Sequence, residues 1–259
     1  MVLVTERPDK ARQLILDANE RDRAGYASVG NAVASAKELT LCLIAGWLRR
    51  QARKEGLVTA PQERDDTGYL QPLIGTAVER ILFENPGQRV ELSTPLGIVS
   101  GRIDSDGPDG EPIECKVTWA SSNKDLLDNG QYIEQIASYA LASGTTKATL
   151  VITHVMGDRG RNSRPKVIVR DLEFSVGELR EWHAEVMRRL NLVLGDVQPG
   201  FGEHYNWECG YCEFKQSGVC PGAPGKKYGY FELKDRAVSI DQPPTEPMTY
   251  DRKVRVRVS

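Results

Sequence analysis

GIVSGRIDSDGPDGEPIECKVTW, residues 97–119, is the stretch on which the reading of this chain turns. Two runs of alternating apolar and polar residues flank Gly107-Pro108-Asp109-Gly110, the pattern of a β-hairpin. Strand side chains alternate between faces, so Glu114 and Lys116 share one side while Ile113, Cys115 and Val117 take the other, apolar one. Pairing of the two runs would bring Asp104, near the end of the first, beside Glu114. Two carboxylates and an ammonium on one face suit a divalent cation such as Mg²⁺ or Mn²⁺, because hard cations prefer carboxylate oxygens. Phosphodiester hydrolysis needs such an ion to absorb charge at the phosphate, and a neighbouring lysine can hold the attacking water. The same spacing also fits a plain exposed hairpin whose ion pair is worth under about 1 kcal/mol, and spacing alone leaves both readings open.

Composition narrows the field. Of the 259 residues, 40% are hydrophobic and 27% charged, which is ordinary for a globular chain, and a net charge of −2 argues against a uniformly basic nucleic-acid coat while allowing local basic patches. The longest apolar run, Leu41 to Leu48, is too short to span a bilayer, and MVLVTERPDK at the N-terminus lacks the apolar centre of a signal peptide. A cytoplasmic protein without membrane contact is expected. The five cysteines, an odd number without an export signal, argue against a disulfide framework. Cys209 and Cys212 form a C-x-x-C, with Cys220 following after seven residues among glycines, prolines and aromatics. Three thiols so close usually share a metal, the fourth ligand coming from elsewhere, and Cys42 is the thiol not otherwise accounted for. Structural zinc more often uses two C-x-x-C pairs, so one early and three late cysteines lean toward an iron–sulfur cluster.

Periodicity places the remaining elements. Residues 1–30 read as a loose polar arm, and 34–55 as a helix with Leu39, Cys42, Leu43, Gly46 and Trp47 on one stripe. A linker, Thr59 to Thr67, leads to a second helix from about Tyr69 to Glu84 with Leu73, Ile74, Ala77, Val78, Ile81 and Leu82 facing inward and Glu79 and Gly75 opposite. Arg89 to Thr94 reads as a strand. The helix from about Leu126 to Ala142 buries Ile133, Ile136, Ala137 and Ala140, and carries Gln131, Gln135 and Tyr139 in a separate row for which solvent is the default. Ala148 to Val155 reads as a buried strand and Lys166 to Phe174 as its neighbour. The loop between them holds Arg159, Arg161, Arg164 and Lys166, residues suited to gripping phosphate as well as to plain solvation. Val176 to Leu194 is an amphipathic helix, and Lys253 to Val258 a charged edge strand.

Taken in order, Gly101-x-x-Asp104, Glu114-Cys115-Lys116, Gln135-x-x-x-Tyr139 and one early plus three late cysteines resemble the RecB-like branch of the PD-(D/E)XK nucleases. Within it, the pattern is similar to the CRISPR-associated exonucleases numbered four and to the iron–sulfur nuclease domains of the AddB type; the likeness runs from about Ser35 to Gly222. No Walker A motif is present. The resemblance implies an α/β fold with a restriction-endonuclease-like core, a mixed central sheet flanked by helices, under a helical, cysteine-ligated cover. It implies segments at 1–60 (helical, giving one cluster cysteine), 61–195 (nuclease core), 196–225 (cysteine segment) and 226–259 (tail).

The resemblance also assigns roles. Asp104, Glu114 and the backbone carbonyl of Cys115 would hold Mg²⁺ or Mn²⁺; Lys116 would orient the attacking water; Gln135 and Tyr139 would position the DNA strand. Cys42, Cys209, Cys212 and Cys220 would ligate a [4Fe-4S] cluster. The family's usual metal-binding histidine, four residues after a helical glycine, is replaced by Glu79, which is retained as a carboxylate ligand. The implied activity is a metal-dependent deoxyribonuclease, an exonuclease on single-stranded DNA. Its setting would be CRISPR spacer acquisition, with the integrase as partner, or recombination and replication, including a virus-encoded version. The alternatives are a non-catalytic DNA-binding or adaptor module on the same fold, and a zinc-stabilised nuclease without iron.

Overall fold

The computed structural model describes residues 31–55, 66–83, 87–123, 130–161, 163–200, 204–205, 207–222, 224–225, 230–233 and 256–258. The expected polar arm, most of the linker at 59–67 and most of the tail lie outside the described residues. Two mixed sheets form the body. In the first, β1 (Ala32–Ser35) runs parallel to β3 (Gly97–Arg102), which pairs antiparallel with β2 (Arg89–Thr94). The second is ordered β4 (Ser105–Asp106), β5 (Pro112–Thr118), β6 (Lys147–His154), β7 (Lys166–Glu173), with β5 and β6 parallel and the outer pairs antiparallel. Among the described residues, no helix is long and apolar enough to cross a membrane.

Parallel neighbours need a crossover. Between β5 and β6 the chain supplies it as α4 (Gly130–Ser143), which lies against β2, β5 and β6 and is covered by α5 (Val176–Leu194). α4 is buried on every side from Ile133 to Ala140, which is why its polar residues face protein rather than water. The expected solvent-facing row is therefore corrected: Gln135 and Tyr139 are both buried. α5 begins with a capping box, the Ser175 hydroxyl accepting from the Glu178 amide and the Glu178 carboxylate from the Ser175 amide, and it seats Leu179, Trp182, Val186 and Leu190 in the core as its spacing predicts. A short pair, β8 (Phe231–Leu233) with β9 (Val256–Val258), adds Phe231 to the aromatic cluster around Trp182 and Phe174.

Three expectations need correction. The long hairpin does not form: Gly97–Arg102 belongs to the first sheet, and only Ser105 and Asp106 pair with β5, opposite Ile113 and Pro112. The chain changes sheets at one peptide, since the Ile103 amide donates to Gln88 O at 3.1 Å and the next amide, Asp104, to Ile113 O at 3.0 Å. Ile103 is buried at that corner. Next, the helix expected over 34–55 is β1, then α1 (Ala36–Thr40), a break at Leu41-Cys42, and α2 (Leu43–Lys54). The Ser35 capping box with Glu38 starts α1, and the break puts Cys42 at the N-cap of α2. Finally, α3 (Asp66–Leu82) packs on β5 through only part of its apolar stripe; Ile81 is 81% exposed and Leu82 41%.

Candidate active site

Strand alternation puts the Glu114 and Lys116 side chains on the face of β5 that α4 covers. Lys116 Nζ donates to Glu114 Oε1 and, at 3.0 Å, to Gln135 Oε1. The Gln135 amide reaches back to Glu114 Oε1 at 3.0 Å and to the Tyr139 hydroxyl at 2.6 Å. Gln135 and Tyr139 are one helical turn apart, so α4 offers both to the same strand. The ammonium also lies 5.4 Å from the centre of the Tyr132 ring. Asp104 joins from the sheet switch, its Oδ2 accepting the Cys115 amide at 2.6 Å. Thus the short β4–β5 turn suffices to bring Asp104 beside the Glu114 segment, although the longer pairing is absent. The acidic face is the well-covered one, Glu114 being 3% exposed, whereas Ile113, Cys115 and Val117 behind it are half-buried.

Burial sets the electrostatics. It pushes the Glu114 carboxyl up to about 7, against the pull of Lys116 and with the help of Asp104. Burial likewise raises Asp104, although the Cys115 amide, Lys116 and Arg102 oppose it. For Lys116 burial disfavours the charge, but Glu114 and Asp104 outweigh it and hold the ammonium above its ordinary range. The Cys115 thiol is driven up to about 12 by burial and then by Asp104, Glu114 and Glu79. The three expected carboxylates therefore all act at residue 115, Glu79 from α3. Among the described residues, however, no three His, Cys, Asp or Glu side chains form a group arranged to hold a metal ion. What fits a cation is the donor set together with Glu114 Oε2, which is buried and accepts no hydrogen bond among the described residues.

Two tests arise here. In the metal-free protein the Glu114 carboxyl is raised from 4.5 to about 7, so between those values the folded state binds more protons than the unfolded one and stability falls as pH rises. The full span is of order 3 kcal/mol, and urea titrations from pH 4.5 to 8 should show it. At Gly101 a Cβ would lie 2.2 Å from Tyr139 Cε1, so only glycine lets the ring reach Gln135. Gly101→Ala is expected to cost about 1–3 kcal/mol in chemical denaturation.

The basic loop divides. Arg159, at φ 63°, donates from Nε to Trp119 O at 3.1 Å and so ties the loop to the end of β5, while Arg161 and Arg164 are exposed and Lys166 is half-buried at the start of β7. His154 is held by Ala120 O at 2.9 Å, in keeping with a structural role.

Cys42, Cys209, Cys212 and Cys220 all line one cavity of about 150 Å³, and none is in a disulfide. Cys42 sits at the N-cap of α2 and Cys212 at that of the short α6 (Glu213–Gln216). Burial pushes the Cys42 thiol up to about 11, partly opposed by the Ala45 and Ile44 amides and reinforced by Glu208 and Cys212. Arg49 of α2 pairs with Glu213 at 2.7 Å and so ties that helix to the cysteine segment.

Sequence reasoning missed several residues. Lys37 of α1 adds its charge in favour of ionised Glu114. Glu134, fully buried, takes Arg189 at 2.6 Å, the Tyr205 hydroxyl at 2.8 Å and the Tyr230 amide at 2.8 Å; Arg189 also donates to Glu185 and to Leu39 O. Glu208 and His204 lie in the wall of the cysteine cavity. The available signal was Glu134 itself, an acid between Ile133, Ile136 and Ala137 on a helix too apolar to be half-solvated.

No family model and no curated protein matches this sequence. Solved structures do. Two of Rai1, that of Scheffersomyces stipitis with (3'-NADP)+ and calcium ion and that of Candida albicans with pU5-Mn2+, align over 72% and 74% of this chain and 67% and 62% of theirs. Their identities are 14% and 12%, with TM-scores of 0.33 and 0.30. The crystal structure of SSO0001 is similar over 82% of this chain and 96% of its own, at 15% identity and a TM-score of 0.53. Mixed α/β architecture, with mixed sheets flanked by helices, is what this chain shares with SSO0001.

Proposed function

We propose that this chain is a divalent-metal-dependent DNA nuclease of the RecB-like PD-(D/E)XK type. The observation that carries the reading is the buried knot of Glu114, Lys116, Gln135 and Tyr139 beside Asp104, in which one Glu114 oxygen has no donor among the described residues. Asp104 and Glu114, with Glu79 and the Cys115 carbonyl, would hold Mg²⁺ or Mn²⁺, which when bound supplies Lewis acidity toward the phosphate. The protein's own groups do the rest. Glu114 and Gln135 fix the Lys116 ammonium, so that its remaining proton can hold the attacking water in line with the scissile bond. The same ammonium offsets charge that builds on the phosphate oxygens in the transition state. Tyr139 stays a neutral hydroxyl, since burial and the nearby carboxylates raise it well above its usual range, and it orients Gln135. Exposed Arg161 and Arg164 would engage the phosphate backbone.

The cysteine cavity supports the second half of the reading by its composition: four thiols outside any disulfide line it, the ligand type of a [4Fe-4S] cluster, and they would have to draw closer to hold one, since no three of them form a metal-holding group among the described residues. A brown anaerobic preparation with a broad visible band is expected, whereas colourless protein with stoichiometric zinc would replace iron by zinc. Labelled single- and double-stranded DNA with Mn²⁺ or EDTA tests the activity; cleavage of single strands from an end, lost with EDTA, is the expected outcome. Tight DNA binding without any cleavage would leave the non-catalytic module instead.

A further inference from the structure

Three of the cavity's cysteines come from one short segment, whose backbone is set by its own bonds: Tyr211 N to Glu208 O at 3.1 Å, Gln216 N to Cys212 O at 3.0 Å and Cys220 N to Phe214 O at 2.8 Å. Cys42 comes from the far end of the chain, at the break between α1 and α2. A continuous helix would direct the Cys42 amide to a carbonyl of the preceding turn. Here it donates instead to Glu208 Oε2 at 2.7 Å, across 166 positions of sequence. The other oxygen, Oε1, accepts the Tyr205 amide at 2.7 Å. Glu208 is 9% exposed, lines the cavity and immediately precedes Cys209. Charge-assisted bonds of this length to a poorly hydrated carboxylate are strong. A second polar tie between α2 and the segment, Arg49 to Glu213, is more exposed and so contributes less.

We propose that Glu208 is the positioning residue of the four-cysteine site, the clasp that holds Cys42 against the three late thiols so that all four can grip one metal group. The inference rests on the reading of this cavity as a metal-cluster site. It explains why an acid stands where thiolates would gather: two amide donors converge there, and only a carboxylate offers an oxygen acceptor to each. Glutamine, nearly identical in shape, offers one, and turns an N–H₂ toward the other amide.

The test uses full-length protein purified anaerobically: wild type, Glu208→Gln, Glu208→Asp and Arg49→Ala. Iron, sulfide and zinc per chain are measured, then the rate of metal loss to a chelator, with circular-dichroism melting as the check on folding. Loss of a partner that orients a ligand costs about 10–100-fold in metal affinity. Glu208→Gln is therefore expected to lose metal at least about tenfold faster than wild type, Glu208→Asp to fall between, and Arg49→Ala to change little. Metal loss from Glu208→Gln at the wild-type rate overturns the clasp. Should the variants not fold, hydrogen exchange in loaded wild type decides: a strongly protected Cys42 amide supports the clasp, and exchange at an unprotected rate overturns it. Wild type holding neither iron nor zinc fails the cluster reading itself, and the clasp with it; failure confined to Glu208→Gln leaves the cluster standing.

Discussion

Lys116→Met is expected to slow DNA cleavage by about 10²–10⁴-fold, the range for a positioned side chain that manages a proton or a developing charge. Methionine keeps most of the volume against the Tyr132 ring but removes the ammonium's three N–H donors, which now serve Glu114 and Gln135. Glu114 then loses the cation that opposes its protonation, but its oxygens remain available to a metal. Mn²⁺ affinity should accordingly change little while single-turnover cleavage collapses. Equal losses of Mn²⁺ binding and cleavage would make the lysine a support for the metal ligands instead of a participant in the reaction.

The second large effect concerns stability. Arg189 is 3% exposed and Glu134 0%, and their 2.6 Å contact joins α5 to α4 while Leu39 O and Tyr205 tie in α1 and the cysteine segment. Removing one partner leaves an uncompensated buried charge, so Arg189→Met should cost about 3–5 kcal/mol in urea denaturation. Replacing both, as Arg189→Met with Glu134→Met, should cost clearly less than the single change, because no unpaired charge then remains; the Tyr205 hydroxyl and Tyr230 amide left without an acceptor set the residue of the loss. If single and double variants unfold at the same urea concentration, the pair is not what holds these elements together.

What could be read from the sequence was local. The shared face of Glu114 and Lys116 follows from strand alternation, and the Gln135–Tyr139 row from the helical repeat; neither needs knowledge of the rest of the chain. Asp104 was legible because Gly107 to Gly110 closes a turn tight enough to carry its neighbour back to Ile113, whatever the preceding strand does. That preceding strand was misplaced since alternation says which residues share a face but not which strand they pair with, and β3 found β1 and β2. The break at Cys42 was invisible for a similar reason: the acceptor that its amide finds there is Glu208, far away in sequence. Glu134, Arg189 and Glu208 did not stand out because a sequence does not show the partner that makes burial of a charge tolerable. The stripe on α3 was read too generously, apolar spacing being a statement about a helix and not about how much of it a neighbour covers.

The most direct test is Mn²⁺-dependent cleavage of end-labelled single-stranded DNA by wild type and by Glu114→Ala, with folding of both checked by circular dichroism. Loss of cleavage by at least about 10²-fold in the folded variant is the result this account requires. Degradation at equal rates by the two proteins would mean that the acids and amine on β5 are not where the phosphodiester is broken.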